Sequence, residues 1–138
     1  MSGQSGKGFL TFILIIACIA LFLRFFIVQI IRINSAQNEA NALETLKLMS
    51  TAIENYSRDH LSSYPSSISM LLKSEPAYID KDYVSESVVK GYSFSCPRLE
   101  TSGYSCYAEP VKCQLSGTKQ FTVTTGGVIV SEDCDKKE

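Results

Sequence analysis

Residues 9–33 read FLTFILIIACIALFLRFFIVQIIRI, and this stretch decides how the rest of the chain is understood. It holds 21 apolar residues, no acid, and Arg24 and Arg32 as its only charges. The run from Phe9 to Leu23 is unbroken and, after Arg24, resumes as far as Ile31. At about 1.5 Å of rise per residue, a helix of this length crosses a hydrocarbon core of roughly 30 Å. A secretory signal has a shorter apolar region, about 7–15 residues, followed by small residues at the cleavage point. Here Arg24, Phe25 and Phe26 follow Leu23, so removal after the apolar block is not expected.

Outward from this block the composition changes. Residues 1–33 carry Lys7, Arg24 and Arg32 and no acid, whereas residues 34–138 carry all 14 acids against 10 basic side chains. The 138-residue chain is 45% apolar with a formal charge of −1, enough for one modest domain behind the span. That balance argues against a nucleic-acid partner, which calls for a basic surface. Lys7 and the terminal amine precede the span and acids begin only at Glu39. Arg24 and Arg32 weaken this asymmetry, but it still places the N-terminus inside and the bulk of the chain outside.

The cysteines fit that orientation. Cys96, Cys106, Cys113 and Cys134 form an even set in the polar part, with Cys18 left in the span. Outside the cytoplasm two disulfides follow. A zinc site is the competitor, but it usually shows a short C-x₂₋₄-C pair, and the intervening lengths here are nine, six and twenty residues. Four cysteines permit three pairings.

Between Asn34 and His60, Ala42, Leu46, Met49, Ile53 and Tyr56 recur at alternating steps of four and three, the signature of a helix with one buried stripe. No Pro or Gly intervenes from Phe9 to Leu61, so span (9–33) and amphipathic half (34–61) are expected to form one continuous helix. The stripe is too short to argue for a coiled coil and is expected to pack on its own domain. Ser and Pro punctuate 62–90, a connecting loop with one short helix over Ile68–Leu72. Residues 91–134 alternate as strands: Tyr92, Phe94 and Cys96; Tyr104, Cys106 and Ala108; then FTVTT (Phe121–Thr125), a Gly126-Gly127 turn, and VIV (Val128–Val130). The expected fold is α+β, one long N-terminal helix on a four-stranded antiparallel sheet. A hairpin centred near Thr101 sets Cys96 opposite Cys106, which favours that disulfide and leaves Cys113 for Cys134. Residues 135–138 form a charged, loose tail.

Chemistry is sparse. His60 is the single histidine, beside Arg58 and Asp59 near a helix C-terminus that tolerates positive charge. No nucleophile, phosphate-loop or zinc-protease string is present, so no catalytic residue, cofactor or resident metal is expected. Asp80, Asp82 and Glu86 could hold a cation in a loop, but scattered acids on a solvated surface explain them more simply. Arg24 and Gln29 are the unusual positions. A charge near mid-span costs about 2.5–3.5 kcal/mol on insertion scales, to be offset by snorkelling or by a protein partner.

A polar leader ending Lys7-Gly8, then Phe9 and an unbroken apolar helix, an amphipathic stripe, a Ser/Pro loop and antiparallel strands together resemble the type IV pilin and type II secretion pseudopilin family. YPSSISMLL (Tyr64–Leu72), GYSCYAEPV (Gly103–Val111) and GTKQFTVTTGGVI (Gly117–Ile129) are similar to the loop and sheet of short pilin-like domains. The resemblance implies a cytoplasmic leader, residues 1–8, cut by a prepilin peptidase between Gly8 and Phe9, with Phe9 then methylated. It also implies an inner-membrane precursor with its C-terminal domain outside. An assembly platform and other pilin-like subunits would be its partners, and a filament would be built by the helix bearing Phe12, Ile13, Arg24 and Gln29. Family members usually carry glutamate where Ile13 stands, so a minor or divergent subunit is implied. Two other expectations compete: an unprocessed single-span accessory or binding protein, and, less favoured by the empty motif search, a secreted enzyme.

Overall fold

The computed structural model describes residues 5–136, with side chains from Gly8 onward. The chain divides into two units, 1–33 and 34–138. Helix α1 spans Ser5–Asp59 and supplies residues to both. It begins inside the expected leader, whose residues 1–4 lie outside the described part. Good helix formers and the absence of Pro and Gly after Gly8 sustain α1. It ends where the backbone turns left-handed at Leu61 (φ 56°) and Ser62 (φ 64°). There the Ser62 N–H donates to the Ser57 carbonyl over 2.8 Å, closing the last turn.

In the second unit the order is α2 (Ile68–Lys73), β1 (Tyr92–Glu100), β2 (Gly103–Pro110), β3 (Lys119–Thr124) and β4 (Val128–Asp133). The four strands form one antiparallel sheet in sequence order. Each connection within the two hairpins is short, and Gly126 and Gly127, at φ 85° and 73°, supply the left-handed turn between β3 and β4. β4 is longer than the expected VIV stretch and continues through the polar residues Ser131, Glu132 and Asp133. Ladder pairing with Lys119, Gln120 and Phe121 holds these residues in the strand.

One register differs from the simple hairpin. Phe94 faces Ala108 and Ser95 faces Tyr107 as expected, but from Arg98 onward the pairing shifts by one residue. The irregularity falls on Cys96-Pro97, where proline has no N–H to give to the ladder. Cys96 still reaches Cys106, at a Cα–Cα distance of 4.0 Å.

The core lies between the second half of α1 and one face of the sheet. Ala42, Leu46, Met49, Ile53 and Tyr56, the whole stripe, are buried, joined by Ala52. Against them pack Tyr92, Phe94, Tyr104, Cys106, Ala108, Phe121 and Val123, with Ile68, Leu71, Ile79 and Tyr83 closing the side. Burial of each large apolar side chain contributes roughly 1.5–3 kcal/mol. The strands alternate accordingly: Phe121 and Val123 point inward, while Thr122 is half-buried and Thr124 exposed.

Close approach is most demanding at Gly117, where a Cβ would collide with the Tyr92 ring. That ring is fully buried and its hydroxyl donates to the Lys119 carbonyl over 2.7 Å. Gly117→Ala is expected to displace Tyr92 and lower stability by about 2–3 kcal/mol. A drop in the urea midpoint of that order checks it, and an unchanged midpoint refutes the packing argument.

Candidate functional site

Two features stand out chemically, the apolar helix and the cross-linked sheet. In the first unit the helix presents large apolar groups on every side: Phe9 is 67% exposed, Phe12 61%, Ile13 48% and Phe22 68%. Nothing in its most apolar stretch is buried. A helix apolar all round does not behave as a surface helix of a water-soluble domain. α1 is, among the described residues, the one helix long and apolar enough to cross a membrane, and it lies near the N-terminus. Arg24 is exposed within this stretch and Gln29 is half-buried. Gly8 is exposed, and open space surrounds the position a Cβ would take, so packing does not require glycine there. Cys18 is a free, exposed thiol.

In the second unit, the structure joins Cys96 to Cys106 and Cys113 to Cys134. The first bridge pins β1 to β2 where Pro97 interrupts the ladder. The second ties the loop after β2 to the end of β4, and the Cys134 N–H also donates to the Thr118 carbonyl over 2.9 Å. The tail is less free than its charge implies, because Asp135 accepts a hydrogen bond from the Gln114 side-chain amide. Residues 137 and 138 of that expected tail lie outside the described part.

Several polar residues that the stripe did not single out fasten α1 to the sheet. Glu39 Oε1 accepts from both the backbone N–H and the hydroxyl of Thr118, each at 2.7 Å. Asn38 donates to the Ser116 carbonyl over 3.0 Å. Further along, Glu54 accepts from the Gly126 N–H at 2.7 Å and from the Tyr64 hydroxyl at 3.3 Å. Ser50 shares a buried 2.8 Å hydrogen bond with the Tyr104 hydroxyl. The only signal in the sequence was position: these residues flank the apolar stripe. Their partners, backbone groups and hydroxyls, lie as far as 79 residues away, which periodicity does not reveal.

The candidate chemical groups are already engaged. Asp80 accepts from the Tyr83 hydroxyl at 3.0 Å, Asp82 from the N–H groups of Val84 and Ser85, and Glu86 pairs with Lys81 at 3.0 Å. They do not converge on one point. The thiol and acid group compact enough for a metal among the described residues is Cys113, Cys134 and Asp135, and its two sulfurs are bonded to each other. His60 stacks on Tyr56, rings 3.9 Å apart and nearly parallel, and its Nδ1–H donates to the Tyr56 carbonyl over 2.8 Å. It serves as a cap on the end of α1.

Burial, chiefly, raises the phenol of Tyr92, and the nearby Glu39 carboxylate adds to it. Burial likewise pushes Tyr104 up to about 12, although the Ser50 hydrogen bond opposes the shift.

These features define a class: an α+β chain with one N-terminal helix fit to cross a membrane and two disulfides in the sheet beyond it. That architecture is compatible with a pilin-like protein. No protein family, no curated protein and no solved structure matches the chain.

Peptide mapping without reductant is expected to recover Cys96–Cys106 and Cys113–Cys134 and to recover Cys18 as an unpaired thiol. Replacing either pair by serine should cost about 2–4 kcal/mol in a denaturant titration. Recovery of four free outer thiols contradicts both statements. Alkali offers an independent check. The Tyr104 phenol is protonated in folded and unfolded chains below pH 10, so its contribution is whole there. It is lost as pH rises from 10 to about 12, where only the unfolded chain ionises. Tyr104→Phe should therefore flatten the alkaline decline in unfolding midpoint.

Proposed function

We propose that this protein is a structural subunit of a type IV pilus or type II secretion pseudopilus, a minor or divergent one, assembled through the helix Phe9–Ile33. The observation that carries the reading is that helix itself. It exposes apolar side chains all round and continues without a break into a half that docks on a disulfide-tied sheet. Lipid covers such a surface in the precursor, and neighbouring subunit helices cover it after assembly. Because lipid tails are already apolar, the gain on assembly comes from close packing and polar pairing.

Processing between Gly8 and Phe9 is part of the same proposal. Gly8 sits in a helix, where glycine costs about 1 kcal/mol relative to alanine, and no neighbour crowds it. A peptidase that needs a small residue before the cut gives glycine a reason to be there. On this reading the leader is cytoplasmic, the sheet is outside the inner membrane, the partners are other pilin-like subunits, and the protein is not an enzyme. Ile13, in place of the family's usual glutamate, removes the carboxylate that would neutralise a neighbour's terminal amine, which favours a minor position over an abundant one.

Mass spectrometry of the mature protein from its native membrane tests this directly. The expected N-terminus is a methylated Phe9, and Gly8→Val should reduce cleavage by about an order of magnitude or more by filling the space before the cut. An intact Met1–Gly8 in the mature protein overturns the proposal in favour of an unprocessed single-span accessory protein.

A further inference from the structure

We propose that Arg24 docks a membrane helix of a different protein, one that carries a carboxylate inside the bilayer at the depth of Arg24. The inference rests on the reading of residues 9–33 as a membrane-embedded assembly helix and goes further, to the chemistry of the neighbour.

Arg24 is the sixteenth of the 25 residues in this block, so it lies about 4–5 Å beyond its middle and roughly 10 Å from the nearer face of the hydrocarbon core. Side chains on a helix lean toward its N-terminus. For Arg24 this direction leads away from the nearer face and back into the core, so snorkelling works against the backbone geometry. Along that direction, one and two turns back, stand Ala20 and Ala17. Their small side chains let another helix come close beside the guanidinium.

The charge has no counterpart among the described residues. Among the described residues the ion pairs are Lys81–Glu86 and Arg98–Glu100, and no carboxylate is paired with Arg24. A second copy does no better, because residues 9–33 contain no acid at all. The first acid, Glu39, is fifteen residues further on and is already held by Thr118. Copies inserted by the same route lie parallel in the membrane at equal depth, which sets Arg24 level with Arg24 and adds repulsion, and an axial offset between copies brings no carboxylate, since none lies in the block. Charge complementarity therefore selects a non-identical helix whose carboxylate can take the planar, two-pronged hydrogen bonds of a guanidinium.

The test uses the full chain, fluorescently labelled at its C-terminus, in phosphatidylcholine vesicles at pH 8, where no net anionic headgroup competes. The probes are synthetic leucine-rich transmembrane helices bearing one Glu, one Gln or only Leu at the matching depth, followed by energy transfer. Wild type is expected to bind the Glu helix about tenfold more tightly than the Leu helix. Arg24→Leu should bring the two within about twofold and increase self-association, while Arg24→Lys keeps part of the preference. Equal binding of the Glu and Leu helices by inserted wild type, or a Glu preference that survives Arg24→Leu, overturns the pairing and leaves the subunit reading standing. Protein that fails to insert into the vesicles overturns both.

Discussion

A 25-residue stretch of helix that holds 21 apolar residues and exposes apolar side chains on every side is the constraint on which the rest of this protein depends. Each large apolar side chain is worth roughly 1.5–3 kcal/mol when removed from water. Apart from Ala17, Cys18 and Ala20, the apolar residues of the block are large, so leaving them in water forfeits a gross term of tens of kcal/mol. A helix surface of this kind is stable in lipid or against other apolar helices, and α1 is long and apolar enough to cross a membrane.

The second unit answers a different problem, that of holding a small sheet on a single helix face. The apolar stripe from Ala42 to Tyr56 supplies most of the burial, and the Tyr and Phe side chains of β1, β2 and β3 complete it. Two carboxylates on the same helix then act as clamps: Glu39 at the loop before β3 and Glu54 at the turn after it. Each satisfies a backbone N–H that a short, crowded turn would otherwise leave exposed or unpaired. The disulfides act where the ladder is weakest, one at the Pro97 irregularity and one at the end of β4. The acids and hydroxyls described here hold helix and sheet together, a structural use in keeping with the subunit role proposed above.

Arg24 and Ile13 set this chain apart from a helix built only to be buried. One adds a charge where the surroundings are apolar, and the other leaves out a carboxylate where the resembled family places one. Both positions enter the proposals above: Arg24 as the charge for which a neighbour would supply the anion, and Ile13 as the ground for a minor place in the proposed assembly.

Most of the architecture was legible in the residues because it follows from period and composition. The unbroken apolar block, the four-and-three stripe and the strict alternation at Tyr92–Phe94 and Tyr104–Ala108 each reflect a local repeat that the backbone geometry enforces. The Cys96–Cys106 disulfide was legible from the hairpin centre, which brings the two residues near each other even though the ladder is irregular at Cys96. Tertiary structure alone decided the one-residue shift after Ser95, the contact between Gly117 and the Tyr92 ring, and the reach of Glu39 and Glu54 to distant turns. These depend on where segments far apart in the chain come to rest against each other, and no repeat within either segment encodes that distance.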